Sequence, residues 1–218
     1  ELIRPILRGR DIKRYGYEWA ELWLIATFPS RHYNIDEYPA VKQYLLSFGI
    51  ERLEQTGKTH IVNGEKVKSR KKTHNKWFET QDSISYWEDF FKPKIIYPNM
   101  TKYMPFAYDN QGYLTNQKCF IMTGAHLPYL TAFLNSNIFK ICYRDCFPEL
   151  QGGTRELSKI FFENIRIPQI DKLIEYDIEN MLEDAQLGND YADLRIDKAL
   201  IMCLSLQEYE TFILNYQI

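Results

Sequence analysis

Hydrophobic and polar positions are most clearly ordered in residues 92–135, where three short apolar runs precede a helical pattern. The runs cover residues 94–98, 104–108 and 118–122. The polar residues 109–112, which end in a glycine, separate the second run from the third and predict a turn. Residues 127–134 then repeat apolar side chains at helical spacing. This segment predicts a small sheet and a helix, a rigid platform for the flanking loops.

Upstream of this platform, the pattern predicts a strand, a helix and a hairpin. Residues 21–27 are apolar enough to predict a buried strand, and residues 37–55 place apolar side chains on one helical face. Asn63 and Gly64 lie between two apolar runs, which is the strongest short-range signal for a two-residue hairpin turn.

Downstream of residue 171 the character of the chain changes, because helical stripes follow one another without strand patterns. The fold class predicted for the whole chain is α+β, a mixed or antiparallel β platform with flanking helices and a C-terminal α-helical appendix. We divide it into a recognition domain at 1–170 and an acidic helical appendix at 171–218.

The distribution of charged residues supports the same division of the chain at residue 170. The net charge is −2, which taken alone argues against a nucleic-acid partner. Residues 1–170, however, hold 24 of the 27 Lys+Arg and 18 of the 29 Asp+Glu, so residues 171–218 hold 3 and 11. A basic body precedes an acidic tail.

The strongest candidate for a nucleic-acid contact is the basic loop that follows the predicted hairpin. Six basic residues and no acidic one lie between residues 66 and 76, and Asn75 and Trp77 accompany them. Lysine and arginine neutralise phosphates, and asparagine can make a bidentate contact to adenine. A solvated charged face would show the same run. The candidates here are Arg70, Lys71, Lys72, Asn75, Lys76 and Trp77.

Two further groups of candidates lie outside this loop. The N-terminal segment is dense in cations, which would suit contacts to the DNA backbone. Gly152 and Gly153 would let a loop approach a partner closely, although the pattern favours a plain turn. The candidates in these groups are Arg8, Arg10, Lys13 and Arg14, followed by Lys102, Tyr103 and Arg155.

Catalytic and cofactor motifs are missing from the sequence. It contains no G-x-G-x-x-G, Walker A, G-x-S-x-G or H-E-x-x-H motif, and no Asn-Pro-Pro-Tyr. The four cysteines form no C-x-x-C pair, so we expect neither a zinc site nor disulfides, and a cytoplasmic location fits. No apolar run is long enough to cross a membrane. We expect a binding module with no cofactor, metal or catalytic residue of its own. Because the chain begins at Glu1 without a methionine, we also expect it to be a fragment of a longer protein.

Several segments, in their order along the chain, resemble the TaqI-like C-terminal specificity domain of type IIG restriction–modification enzymes and related adenine-N6 DNA methyltransferases. They are LIRPILRGRDIKRY (2–15), NKWFE (75–79), KPKIIYPNM (92–100), FAYDNQGYLTN (106–116), LNS (134–136) and RIP (166–168). Residues 195–210 are similar to the helix with which such enzymes often finish, although Met202 and Cys203 depart from its pattern.

The resemblance implies that the chain binds double-stranded DNA for a methyltransferase domain located upstream in the same polypeptide. That domain would bind S-adenosylmethionine. In the larger members of the family a nuclease domain lies further upstream, and it would use Mg²⁺. The catalytic residues of these domains have no matching positions in this sequence.

Three alternatives stay open at this point. An RNA- or single-strand-binding module would use tyrosines to stack bases. A protein-interaction domain would dock its acidic helices on a partner. A nuclease would need clustered carboxylates near a lysine, and only Asp11 and Lys13 have that spacing.

Overall fold

The chain forms two units, each with its own strands and helices. The computed structural model describes residues 2–189 and 191–217. The first unit comprises Glu1–Pro5 and Trp23–Trp87, and the second comprises Ile6–Leu22 and Glu88–Ile218. Helices combined with antiparallel and mixed sheets confirm the predicted α+β fold. The functional division at residue 170 is a different partition and stays a prediction.

The first unit contains two short antiparallel strand pairs and two helices. In chain order its elements are β1 (Ile3–Leu7, which continues into the second unit), β2 (Trp23–Ile25), α1 (Pro39–Leu46), α2 (Ile50–Leu53), β3 (Thr59–Val62) and β4 (Glu65–Lys68). Strand β1 pairs with β2, and β3 pairs with β4. Short 3-10 turns cover Pro29–Arg31 and Ile35–Glu37.

The predicted hairpin is confirmed. Strands β3 and β4 are joined by Asn63 and Gly64, which have φ values of 50° and 84°. Two successive left-handed residues define the type I′ turn, whose twist matches that of the paired strands. Asparagine and glycine adopt this conformation at little cost.

Two other predictions for this unit need correction. The buried strand expected at residues 21–27 is limited to β2, and Trp23 at its start is 58% exposed. As an edge strand paired only with β1, β2 leaves part of its surface open. The helix expected at residues 37–55 is broken into α1 and α2, because Gly49 between them adopts φ 87°.

The second unit is built on a three-stranded antiparallel sheet. Its elements are β5 (Lys94–Pro98), β6 (Met100–Thr101), β7 (Ala107–Asp109), β8 (Leu114–Thr115), β9 (Cys119–Met122), α3 (Leu127–Asn135), α4 (Asn137–Tyr143), β10 (Arg155–Glu156), α5 (Lys159–Phe162), α6 (Lys172–Gln186), α7 (Ala192–Cys203) and α8 (Glu210–Leu214). Short 3-10 turns cover Gly9–Asp11, Arg144–Cys146, Gln151–Gly153 and Gln207–Tyr209. Strand β5 lies between β7 and β9, and the end of β1 pairs in parallel with β8.

The three strands and the helix predicted for the platform are therefore present, with one displacement. The second strand begins at Ala107 rather than at residue 104. Met104 adopts φ 50°, which no strand residue does, and the backbone N–H of Phe106 donates to Asn135 Oδ1 at 3.1 Å. The backbone before β7 is thus bonded to α3 instead of to a neighbouring strand.

The C-terminal helices share one hydrophobic core with α3 and α4. Ile178 of α6, Leu200 of α7 and Ile213 of α8 are buried together with Phe133 and Phe139. Apolar burial on this scale is the main stabilising contribution to a small fold. No described helix has both the length and the apolar character needed to span a bilayer.

A buried ion pair joins β5 to β7. The side chains of Lys94 and Asp109 are fully buried, and the Lys94 ammonium donates to Asp109 Oδ2 and to the Phe90 carbonyl. Asp109 Oδ1 also accepts from the Tyr17 hydroxyl at 3.0 Å. Burial lowers the pKa of Lys94, and the hydrogen bond that its ammonium donates to Asp109 opposes that shift.

We expect Asp109→Asn to lower the free energy of unfolding by about 3–5 kcal/mol, because it leaves the Lys94 ammonium buried without its counter-ion. Urea unfolding followed by circular dichroism measures the change. The matched control is Asp89→Asn, which breaks the solvent-exposed pair with Lys92 at 2.7 Å and should cost about 1 kcal/mol or less. Equal losses in the two variants would contradict a central role for the buried pair.

Candidate nucleic-acid interface

A groove of about 1160 Å³ opens in the second unit, between the N-terminal segment, the β5–β6 connection and the end of the chain. Six cationic side chains line it: Arg8, Arg10, Lys13, Arg14, Lys118 and Lys140. No aspartate or glutamate among the described residues lines it. A concave surface with charge of one sign raises the local concentration of a polyanion and favours its binding.

The 3-10 turn at Gly9–Asp11 sets one wall of this groove. Arg8 holds the turn, because its backbone N–H donates to Asp11 Oδ2 at 2.9 Å and its guanidinium to Asp11 Oδ1 at 2.7 Å. The Arg8 side chain thereby lowers the pKa of the buried Asp11. A Cβ at Gly9 would come within 3.2 Å of the Lys118 carbonyl oxygen. The close approach places Arg10 and Lys118 on the same groove.

The four N-terminal cations predicted from the sequence all line this groove, but they differ in their contacts and exposure. Arg8 forms an ion pair with Asp11. Arg14 forms an ion pair with Asp193 and donates to the Asn135 carbonyl at 2.9 Å. Arg10 and Lys13 are exposed. Lys13 makes one surface pair, with Glu18 at 3.2 Å.

Of the predicted residues Lys102 and Tyr103, Tyr103 lines the groove and Lys102 lies beside its ring. The Tyr103 ring lines the groove and is 64% exposed. The Lys102 ammonium lies 5.7 Å from the centroid of that ring, a cation–π contact. The pair offers a flat ring beside a positive charge.

Lys118 and Lys140 were not predicted as site residues. Lys118 directly precedes β9 in an apolar run, and Lys140 lies within the apolar helix α4. Neither belongs to a run of basic residues. Only the tertiary fold brings them to the cations of residues 8–14.

In the first unit, the structure gives Arg70 of the basic loop an internal role. Its guanidinium donates to the carbonyl oxygens of Leu53 and Glu79, each at 2.8 Å, and to that of Trp77. Burial lowers its pKa. Arg70 therefore holds the ends of the loop together.

Asn75 and Trp77 are likewise engaged within the loop. The Asn75 amide nitrogen donates to the carbonyl oxygens of Thr80 and Gln81 at 3.0 and 2.9 Å. A bidentate adenine contact needs that nitrogen as a donor, so it would require these bonds to open. Trp77 is half-buried and packs edge-to-face on Phe78.

The remaining cations of the basic loop are open to solvent. Lys71, Lys72 and Lys76 are exposed, as are Lys66 and Lys68 on β4. Internal contacts of Arg70, Asn75 and Trp77 thus hold the loop together, while its lysines stay exposed.

Arg155 lies away from the groove lining and is buried. Its guanidinium pairs with Asp145 at 3.0 Å and Glu149 at 2.8 Å, and donates to the Phe147 carbonyl at 2.9 Å. Gly152 and Gly153, both with positive φ, form the loop that this arginine closes. The structure assigns Arg155 to folding of the loop.

Comparison with known proteins agrees with this geometry. A family model described as the TaqI-like C-terminal specificity domain matches residues 4–167. A search of curated proteins found no match. The family description implies DNA target recognition in restriction–modification enzymes. Because the match covers well over half of its 218 residues, this chain belongs to the TaqI-like C-terminal specificity domain family.

Proposed function

We propose that this chain is the duplex-DNA recognition module of an adenine-N6 DNA methyltransferase of the type IIG restriction–modification class. It would hold DNA for a methyltransferase domain upstream in the same polypeptide. The observation that carries the proposal, beyond family membership, is the groove with six cationic and no described acidic lining residues.

The physics of DNA binding explains why such a groove matters. Each phosphate neutralised by a lysine or arginine releases a condensed counter-ion, which favours binding at low salt. Backbone contacts of this kind set the register of a protein on the duplex and leave base recognition to other side chains. Arg10, Lys13 and Lys118 line the groove and are exposed, so they are suited to contacts with the DNA backbone.

The division of labour follows from the chemistry of base methylation. An adenine must leave the helix before its N6 can react, at an unstacking cost of a few kcal/mol. A rigid module that grips the flanking backbone offsets that cost by holding the duplex in register. S-adenosylmethionine, and Mg²⁺ where the parent enzyme also cleaves, would belong to the upstream domains.

One observation favours a second candidate function. The exposed ring of Tyr103 beside the groove could stack an unpaired base, as proteins that bind single-stranded nucleic acid do. Competition between a labelled duplex and unlabelled single strands of the same sequence distinguishes the two. Preferential displacement by the single strands would replace the duplex proposal.

For the basic loop, we expect Lys71→Ala combined with Lys72→Ala to weaken binding to every duplex. The plot of log affinity against log salt concentration should become shallower by about two units, because two phosphate contacts are lost. Fluorescence anisotropy with a labelled duplex at several salt concentrations measures the slope. An unchanged slope would remove this loop from the interface.

For the groove, we expect Arg10→Ala combined with Lys118→Ala to lower the salt slope by a similar amount, about two units, for the same reason. The matched control for both pairs is Lys92→Ala with Lys159→Ala. These lysines are 61% and 84% exposed, and neither lines the groove. A control that loses as much affinity as the groove variant would mean that overall charge, rather than the groove, decides binding.

A further inference from the structure

Lys140 lines the groove and differs from the other groove cations in being buried. Its position on α4 leaves it only 8% exposed, yet it lines the groove. Among residues 2–189 and 191–217, no carboxylate lies within 4.0 Å of its ammonium and no acceptor hydrogen-bonds to it. A described cation that is more than nine-tenths buried therefore lines the groove with no ion pair within 4.0 Å and no hydrogen bond to its ammonium.

The charged groups that face Lys140 are Arg14, Asp193 and Asp197, and each has another partner. Arg14 and Asp193 pair with each other. Asp197, buried on α7, accepts from the Asn137 backbone N–H at 2.9 Å. Burial and the nearby Arg14 lower the pKa of Lys140 to about 8, and burial raises that of Asp197 to about 6.

A buried ammonium without a hydrogen-bonded anion is costly, and buried polar groups in native proteins normally have partners. An anion that enters the groove would supply the missing partner. The surrounding cations, and the family's association with DNA, identify a backbone phosphate as the chemical class that fits. A charge-assisted contact made in such a poorly solvated position is stronger than one made at the surface.

We propose that Lys140 binds one backbone phosphate of the DNA in the groove. The proposal rests on the proposed function, because it assumes that DNA occupies the groove. It also gives the C-terminal helices a part in recognition. Asp193 and Asp197 of α7, and the groove-lining Leu214 and Tyr216, all lie beyond the family match at residues 4–167.

The test measures the affinity of the full chain for a fluorescein-labelled 24-base-pair duplex at pH 7 and pH 9. An amine with a pKa of about 8 is about nine-tenths charged at pH 7 and about one-tenth charged at pH 9. Because the phosphate binds the charged form, affinity of the unaltered chain should fall about tenfold over this range. Arginine and aspartate side chains titrate outside it.

Two variants make the test specific to Lys140. Lys140→Met removes the charge while keeping the length of the side chain, and should bind about tenfold more weakly at pH 7 with little further loss at pH 9. Lys140→Arg keeps its charge at both pH values and should lose the pH dependence while still binding. Arg10→Ala with Lys118→Ala should bind more weakly but keep the tenfold pH ratio, because Lys140 is intact.

The outcomes separate this proposal from the proposed function. If Lys140→Met binds as tightly as the unaltered chain while the Arg10 and Lys118 variant is weakened, DNA occupies the groove and the Lys140 subsite is overturned. If the unaltered chain does not retain the duplex even at low salt, the proposed function fails and this inference with it. Should Lys140→Met fail to fold in thermal unfolding, Lys140→Gln takes its place, and binding as tight as that of the unaltered chain would overturn the subsite.

Discussion

The fully buried contact between Lys94 and Asp109 is the constraint on which the second unit depends. It joins the first residue of β5 to the last residue of β7. Asp109 also accepts from the Tyr17 hydroxyl and from the backbone N–H of Gln111, so the same carboxylate fastens the N-terminal segment and the following turn. The side chain of Gln186, at the end of α6, reaches the carbonyls of Tyr15 and Tyr108 from the other side. The cations of residues 8–14 are thereby carried on a segment held at several points.

The acidic residues of this chain do as much to shape its basic surface as the basic residues themselves. Asp11 fixes Arg8, Asp193 holds Arg14, and Glu149 with Asp145 holds Arg155. In each case the carboxylate orients an arginine that builds structure, while the exposed lysines stay available for a polyanion. A net charge of −2 is therefore compatible with a groove whose described lining carries only positive charge.

The sequence was a good guide wherever local rules decide the outcome. Short apolar runs and turn residues predicted the three strands of the platform, and Asn63 with Gly64 predicted the hairpin, because backbone preferences act over a few residues. The sequence did not predict which groups the arginines contact. Arg14 meets Asp193 across almost the whole chain, and whether Arg70 faces solvent or three carbonyls depends on how its loop closes. Lys140 was missed because an isolated lysine in an apolar helix gives no pattern to recognise.

The boundary of the family match and the boundary of the hydrophobic core do not coincide. Residues 4–167 contain α3 and α4, but the apolar faces of these helices are covered by α6, α7 and α8, which follow the match. Cutting the chain where the family match ends would remove Ile178, Leu200 and Ile213 from the core that they share with Phe133 and Phe139. Transferring this domain to another protein would therefore require moving the three terminal helices along with it.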